Sequence, residues 1–188
     1  MRLSRTLTAG AAVVALASLT GCGGGGEAEA GSGGKSLPKA KDIAAMERFV
    51  SQYTTCKDLQ PEAPLAKHSD TRREFANYPK EPGAGVREQA YCEAERGQPI
   101  ALLGISDMKK FQQALKANAD AEKSEAAAAL VGADFAVVPT DDDSTRALKS
   151  SGLLIASCDA KYNSKIPSGY LKREGAVEGC LLTDYLPA

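Results

Sequence analysis

The stretch QAYCEAERGQPIALLGI, residues 89–105, decides the fold of this chain. In its first half, small apolar side chains and one Cys at positions 90, 92 and 94 alternate with Tyr and Glu at positions 91, 93 and 95. That alternation is typical of a half-exposed β-strand. Residues 100–105 are almost all apolar, which is typical of a strand buried on both faces. With a turn at Arg96-Gly97, the stretch predicts a β-hairpin whose second strand is buried.

Helices are predicted on either side of this hairpin. From Asp42 to about Leu59, apolar residues recur at steps of three and four, which indicates an amphipathic helix with Cys56 on its apolar stripe. After the hairpin, Asp107 is a suitable N-cap for a helix that contains Phe111. Residues 116–129 are rich in Ala, Lys and Glu and are expected to extend that helix or to form another.

The remaining elements determine the predicted fold class. We expect a strand at Phe135–Val138, a short helix at Asp143–Lys149, a buried strand at Leu153–Cys158 and a last strand at Val177–Tyr185. The proline-rich segment Gln60–Gly85 is predicted to be irregular. The order α-β-β-α-β-α-β-β predicts an α+β domain with helices packed on a mixed, partly antiparallel sheet. An α/β domain with a βαβαβ core is the alternative.

The first of the five cysteines stands in a different context from the others. Two arginines and an uncharged stretch rich in Ala, Val and Leu precede Leu19-Thr20-Gly21-Cys22. The apolar stretch is too short to span a bilayer, and the four-residue motif resembles the lipobox of bacterial lipoproteins. The resemblance implies a signal peptide over residues 1–21 and a diacylglycerol on Cys22. We therefore expect a protein anchored to the outer face of the cytoplasmic membrane.

A linker is predicted between this lipid and the domain. Residues 22–41 are rich in Gly and Ser, which is typical of a flexible tether, and we expect a single extracytoplasmic domain at 42–188. Removing residues 1–21 removes Arg2 and Arg5 and leaves 21 basic against 24 acidic side chains, a formal charge near −3. That balance argues against nucleic acid as a partner. It also indicates that the lipid, and not electrostatic attraction, holds the protein on the membrane.

The other four cysteines form an even set, namely Cys56, Cys92, Cys158 and Cys180. Disulfides persist outside the cytoplasm, and four cysteines allow three pairings. We favour Cys56–Cys92, which joins the first helix to the hairpin, and Cys158–Cys180, which joins two strands. No Cys-x-x-Cys motif is present, which argues against a redox pair, and the wide spacing argues against zinc. No metal and no cofactor are therefore predicted.

One acidic cluster suggests chemistry. Asp141-Asp142-Asp143-Ser144-Thr145 follows an apolar strand and resembles the Asp-x-Asp-x-Thr loop of haloacid-dehalogenase-type phosphatases. The resemblance implies Asp141 as nucleophile and Asp143 as general acid. The chain departs from the family, because Pro139 interrupts the strand and no second acidic pair for Mg²⁺ follows. The simpler interpretation is a capping cluster at a helix N-terminus, so no residue is assigned as catalytic.

No other combination of residues suggests an enzyme. The lone histidine, His68, lies in a polar segment. In composition and lipobox, the chain resembles the small Ala/Gly-rich lipoproteins of high-GC Gram-positive bacteria such as streptomycetes, many with no assigned activity. Our first hypothesis is a non-catalytic binding or interaction module for an unknown protein or small-molecule ligand. The alternatives are a phosphatase or hydrolase that uses Asp141 and Asp143, and a structural envelope protein.

Overall fold

The structure is a computed structural model that describes residues 36–61, 82–121 and 129–186. Several of the predictions concern residues outside these ranges. They are the signal peptide, lipidation of Cys22, residues 23–35 of the tether, His68 and most of the segment Gln60–Gly85.

The described residues form four α-helices and eight β-strands. The helices are α1 (Ile43–Val50), α2 (Met108–Asp120), α3 (Asp142–Lys149) and α4 (Ala160–Lys165). The strands are β1 (Lys57–Pro61), β2 (Val86–Glu93), β3 (Pro99–Ile105), β4 (Ala129–Val131), β5 (Phe135–Pro139), β6 (Leu154–Ser157), β7 (Lys172–Glu174) and β8 (Leu181–Thr183). None of the described helices has the length and apolar character needed to cross a membrane.

All eight strands belong to one sheet, in the order β1-β2-β3-β5-β4-β6-β8-β7. The predicted α+β class is confirmed, and each pair of neighbouring strands in the described sheet is antiparallel. The βαβαβ alternative requires parallel neighbours, which this sheet does not contain. The predicted hairpin is confirmed as β2 and β3, with Glu93 opposite Pro99 and Val86 opposite Ile105.

The connections explain why the sequence also resembles an α/β pattern. Strands β3 and β4 run in the same direction and are joined through α2, but β5 lies between them. Strands β5 and β6 are likewise joined through α3 with β4 between them, and β6 and β7 through α4 with β8 between them. The sheet therefore consists of interleaved split β-α-β units. In each unit a third strand lies between the two parallel strands that the helix connects, so every pair of neighbouring strands is antiparallel.

Helices cover both faces of the sheet. On one face, Met46 of α1 and Leu148 of α3 pack against Phe135 and other buried residues of the sheet. On the opposite face, Phe111 of α2 packs among a second set of apolar side chains. Crossovers in proteins are almost always right-handed, so α2 and α3, which leave strands of opposite direction, lie on opposite faces. Every residue of β3 is buried as a result.

The first helix is shorter than predicted. It ends at Val50 instead of Leu59, and residues 57–61 form the edge strand β1. The amides of Tyr53 and Thr54 both donate to the Val50 carbonyl, which closes the helix in a turn. Cys56 is buried, as its place on the apolar stripe predicted. It reaches the core from an extended segment, however, because residues 57–61 pair with β2 instead of continuing the helix.

Several short elements differ from the sequence predictions. Residues 129–131, at the end of the predicted helical tract, form β4, and the sequence patterns do not predict β7 or α4. The predicted strand Val177–Tyr185 is reduced to β8, because residues 175–180 form a turn in which Gly175 donates to the Cys180 carbonyl. Strands of three residues are too short to show a period.

The last residues of the segment predicted as tether lie against the domain. Ala40 is buried, and its amide donates to Asp134 Oδ1 over 2.9 Å. The Arg87 guanidinium donates to the carbonyls of Ala40, Lys41 and Ile105 over 3.2, 3.0 and 2.7 Å. These charge-assisted bonds attach the N-terminal segment to the end of the sheet at which β3 terminates.

Both predicted disulfides are confirmed. Cys56 is bonded to Cys92, 36 residues away, and Cys158 is bonded to Cys180, 22 residues away. The first disulfide ties the segment after α1 to β2, and the second joins the residues that follow β6 and precede β8. Each bond therefore connects segments that are already neighbours in the sheet.

Removing either disulfide is expected to destabilise the domain. Loops of these lengths contribute about 3–4 kcal/mol through restriction of the unfolded chain. We expect Cys56→Ala/Cys92→Ala and Cys158→Ala/Cys180→Ala each to lower the free energy of unfolding by about that amount in urea titrations. The free energies of unfolding of the wild-type protein with its disulfides intact and with them reduced provide the comparison. A loss below about 1 kcal/mol in both variants would contradict the entropic account.

Candidate functional site

A polar pocket opens at the end of the sheet where β3 begins. Its walls are the segment after α1, the turn between β2 and β3, and the first turns of α3, and its volume is about 780 Å³. Hydroxyl, carboxamide and carboxylate groups dominate the lining. The lining residues are Ser51, Gln52, Tyr53, Thr54, Thr55, Glu95, Arg96, Gln98, Thr140, Asp141, Asp143, Ser144 and Ala147.

The turn between β2 and β3 forms one wall. The amide of Ala94 donates to the Gln98 carbonyl over 2.7 Å, and the amide of Gly97 donates to the Ala94 carbonyl over 3.2 Å. Arg96 has a positive φ of 68°, which is uncommon for a residue with a side chain. Thr140 Oγ1 donates to the Pro99 carbonyl over 2.9 Å and connects this wall to the end of β5.

The segment after α1 forms the opposite wall and is braced near its C-terminal end. Thr54 Oγ1 lies 3.4 Å from Ser144 Oγ of α3, so a pair of hydroxyl groups links this segment to the wall that α3 forms. The Cys56–Cys92 disulfide follows directly after Thr55. This predicted disulfide therefore has a second consequence, because it fixes a segment that lines the pocket.

Asp141 is the N-cap of α3. Its Oδ1 accepts a hydrogen bond of 2.8 Å from the Ser144 amide, and its carbonyl accepts one of 2.8 Å from the Thr145 hydroxyl. The other carboxylate oxygen, Oδ2, is shielded from solvent and has no hydrogen-bond partner among the described residues. The geometry fits the capping interpretation of the acidic cluster.

The next two aspartates are exposed. Carboxylate oxygens of Asp142 and Asp143 each lie 3.7 Å from a guanidinium nitrogen of Arg146, and their side chains are 90% and 78% exposed. Pairs exposed to this degree contribute little stability. The structure thus places both predicted acidic residues, Asp141 and Asp143, at the pocket, the first as a cap and the second at the surface.

The charges that line the pocket favour particular ligands. Three carboxylates, those of Glu95, Asp141 and Asp143, accompany one guanidinium in the lining, that of Arg96, and Arg146 offsets part of the Asp143 charge from outside the lining. An anionic ligand would meet net repulsion there, whereas a neutral polar or cationic one would not. Within residues 36–61, 82–121 and 129–186, no group of three or more His, Cys, Asp or Glu side chains has the arrangement needed for a metal ion.

Three tyrosines near the C-terminus form a separate cluster. The ring of Tyr185 lies 6.0 Å from that of Tyr162 and 4.9 Å from that of Tyr170. The Tyr162 hydroxyl donates to the Tyr185 carbonyl over 2.6 Å. Burial, with a smaller contribution from Tyr185, raises the pKa of Tyr162 to about 12. None of the three lines the pocket.

Comparison with known proteins adds no functional information. No protein-family model, no curated protein and no solved structure matches the chain.

The capping role of Asp141 gives a direct prediction. Loss of an N-cap side chain costs about 1 kcal/mol, so Asp141→Ala should lower the free energy of unfolding by that amount in urea titrations. Asp141→Ser retains a capping oxygen and should restore most of the loss. Asp143→Ala is the matched control and should change stability by less than about 0.5 kcal/mol. Equal losses for the Ala variants at 141 and 143 would contradict the capping role.

Proposed function

We propose that the protein is a lipid-anchored lipoprotein of the bacterial cell envelope and that its domain is a non-catalytic binding module. The motif Leu19-Thr20-Gly21-Cys22 supports the anchor. The two disulfides support a location outside the cytoplasm, since such bonds persist mainly in oxidising compartments. The pocket beside α3 supports the binding role, and it is the observation that carries this proposal.

The size and lining of the pocket limit what it binds. A volume of about 780 Å³ lies within the usual range for small-molecule sites. Most of the lining groups donate or accept hydrogen bonds, so a ligand rich in hydroxyl or amide groups fits better than an apolar one. Because carboxylates outnumber the guanidinium in the lining, we propose a neutral or cationic ligand.

The position of the pocket suits an anchored receptor. The N-terminal segment is attached where β3 ends, beside Ile105, and the pocket opens where β3 begins, beside Pro99. A strand of this length separates the two points by roughly 20 Å. A ligand is therefore accessible from the side of the domain opposite to the attachment of the proposed tether.

The second candidate is a phosphatase or hydrolase that uses Asp141 and Asp143. The observation in its favour is that both side chains line the pocket. Two others weigh against it, since Oδ1 of Asp141 is engaged by the Ser144 amide and the lining is acidic for a phosphate ester. A structural envelope protein is the third candidate, and it requires no ligand.

The anchor is tested by Cys22→Ala. Without the thiol the lipid has no attachment point, so we expect the protein to leave the membrane fraction or to accumulate unprocessed. The measurement is fractionation of whole cells, with mass spectrometry of the N-terminus of the wild-type protein. Cys158→Ala/Cys180→Ala serves as the control, because it alters cysteines without altering the lipobox. Membrane retention of a cleaved Cys22→Ala protein would contradict the anchor.

The pocket is tested by filling it. Ala147→Phe places a ring in the lining, whereas Ala117→Phe places one on the exposed side of α2 as a control. We expect a neutral sugar, an amino sugar or a polyamine to raise the melting temperature of the wild type and of the control, but not of Ala147→Phe. A response only to fatty acids would contradict the proposal. Hydrolysis of p-nitrophenyl phosphate that is lost in Asp141→Asn would support the phosphatase instead.

A further inference from the structure

The chain is slightly acidic as a whole, but one segment is strongly basic. Residues 161–173 contain Lys161, Lys165, Lys172 and Arg173 and no Asp or Glu. The segment runs from α4 through a loop into β7, and residues 167–174 are all exposed. The net charge therefore conceals a local excess of positive charge at one edge of the sheet.

Two exposed apolar side chains lie within this segment. Tyr170 is 39% exposed and Leu171 is 45% exposed, and they are the large hydrophobic residues that the described domain leaves most accessible. The Leu171 amide donates to Asp184 Oδ1 over 2.8 Å, which fixes the backbone at this point. The ring of Tyr170 packs edge-on against Tyr185. The apolar pair is thus held in place on the surface and not buried in the core.

Basic residues adjoin the pair on α3, at the end of α4 and in β7. Lys149 Nζ of α3 lies 5.7 Å from the centre of the Tyr170 ring. Lys172 Nζ donates to the Ile166 carbonyl over 2.7 Å, which brings Lys172 beside the end of α4, where Lys165 lies. We call this surface the basic tip. It comprises Lys149, Lys165, Tyr170, Leu171, Lys172 and Arg173.

The basic tip lies near the attachment of the N-terminal segment. Lys149 is the last residue of α3, and Gly152 follows three residues later. A Cβ atom at Gly152 would lie 3.6 Å from Pro38 Cγ, so Pro38 passes directly beside this end of α3. The chain that leads toward Cys22 and the basic tip therefore share the end of the domain at which α3 finishes, whereas the pocket opens beside the start of α3.

We propose that the basic tip contacts the headgroup region of an anionic membrane, as a second point of attachment besides the lipid on Cys22. Tyr side chains favour the interface between lipid and water, and Lys and Arg are attracted to anionic headgroups. The tip contains four basic side chains, and the acidic residues that adjoin it in sequence or through a hydrogen bond are Glu174 and Asp184. The inference rests on the proposed anchor, which brings this end of the domain to the membrane. It orients the pocket away from the bilayer.

The absence of tryptophan from the sequence allows a specific test. Leu171→Trp introduces a single indole reporter at the basic tip, and Lys57→Trp introduces one on the exposed strand β1 beside the pocket end. The full-length lipidated protein is reconstituted into vesicles of phosphatidylglycerol or phosphatidylcholine that contain brominated lipid. We expect the indole fluorescence of Leu171→Trp to be quenched in phosphatidylglycerol and little in phosphatidylcholine. The fluorescence of Lys57→Trp should be unquenched in both.

Charge variants test the electrostatic part. Lys165→Gln/Arg173→Gln, made in the Leu171→Trp protein, should abolish most of the quenching, as should high salt. Arg48→Gln/Lys57→Gln removes the same charge from exposed positions on α1 and β1 and should leave the quenching unchanged. The melting temperature of each variant confirms that it is folded. Quenching that is equal in both lipids, or that survives Lys165→Gln/Arg173→Gln, would overturn the proposal.

The experiment distinguishes failure of the proposed lipid anchor from failure of the proposed membrane contact. If the Leu171→Trp protein carries lipid and floats with phosphatidylglycerol vesicles while its fluorescence is unquenched, the anchor holds and the proposed contact is wrong. If mass spectrometry shows no lipid on Cys22, the anchor is wrong. The membrane contact is then tested by adding vesicles to the unlipidated protein and measuring the fluorescence of the same indole. If the fluorescence is not quenched, the proposed contact is wrong as well.

Discussion

Complete burial of β3 is the constraint on which the rest of the structure depends. All seven of its residues are buried, with β2 and β5 on its two sides and helices above both faces. A strand in this position needs backbone partners on both edges and apolar partners on both faces. The two ends of the same strand also mark the positions of the pocket and of the attached N-terminal segment. The pocket opens at Pro99, and the N-terminal segment is attached at Ile105.

The interleaved connections make this burial achievable in a small domain. Each split β-α-β unit places a helix over the sheet and leaves a gap that a later strand fills. Because the crossovers through α2 and α3 leave strands of opposite direction, helices reach both faces, and two apolar layers form from one short chain. The disulfides then brace the periphery of the sheet, one beside the pocket and one between β6 and β8.

Prediction from the sequence succeeds where a pattern is local and strong. The hairpin, the Asp107 cap, the capping role of the acidic cluster at 141–143 and the strand predicted at Phe135–Val138 are recognisable from neighbouring residues alone. Prediction fails where strand pairing decides the outcome. Residues 57–61 continue a helical stripe in sequence but pair with β2, and β7 is exposed at every position, so no apolar pattern marks it. Partners elsewhere in the sheet supply the energy that overrides local preference.

The sequence by itself determined the motif Leu19-Thr20-Gly21-Cys22, which resembles a lipobox, the even set of four domain cysteines and the order of most elements. Each of these depends on adjacent residues or on a fixed spacing. Only the tertiary structure decided the pocket and the basic tip. The pocket needs three segments, around residues 51–55, 95–98 and 140–147, which meet where strands end. The basic tip needs Lys149 beside Tyr170 and Pro38 beside Gly152. Both are products of convergence between distant parts of the chain, which residue spacing does not encode.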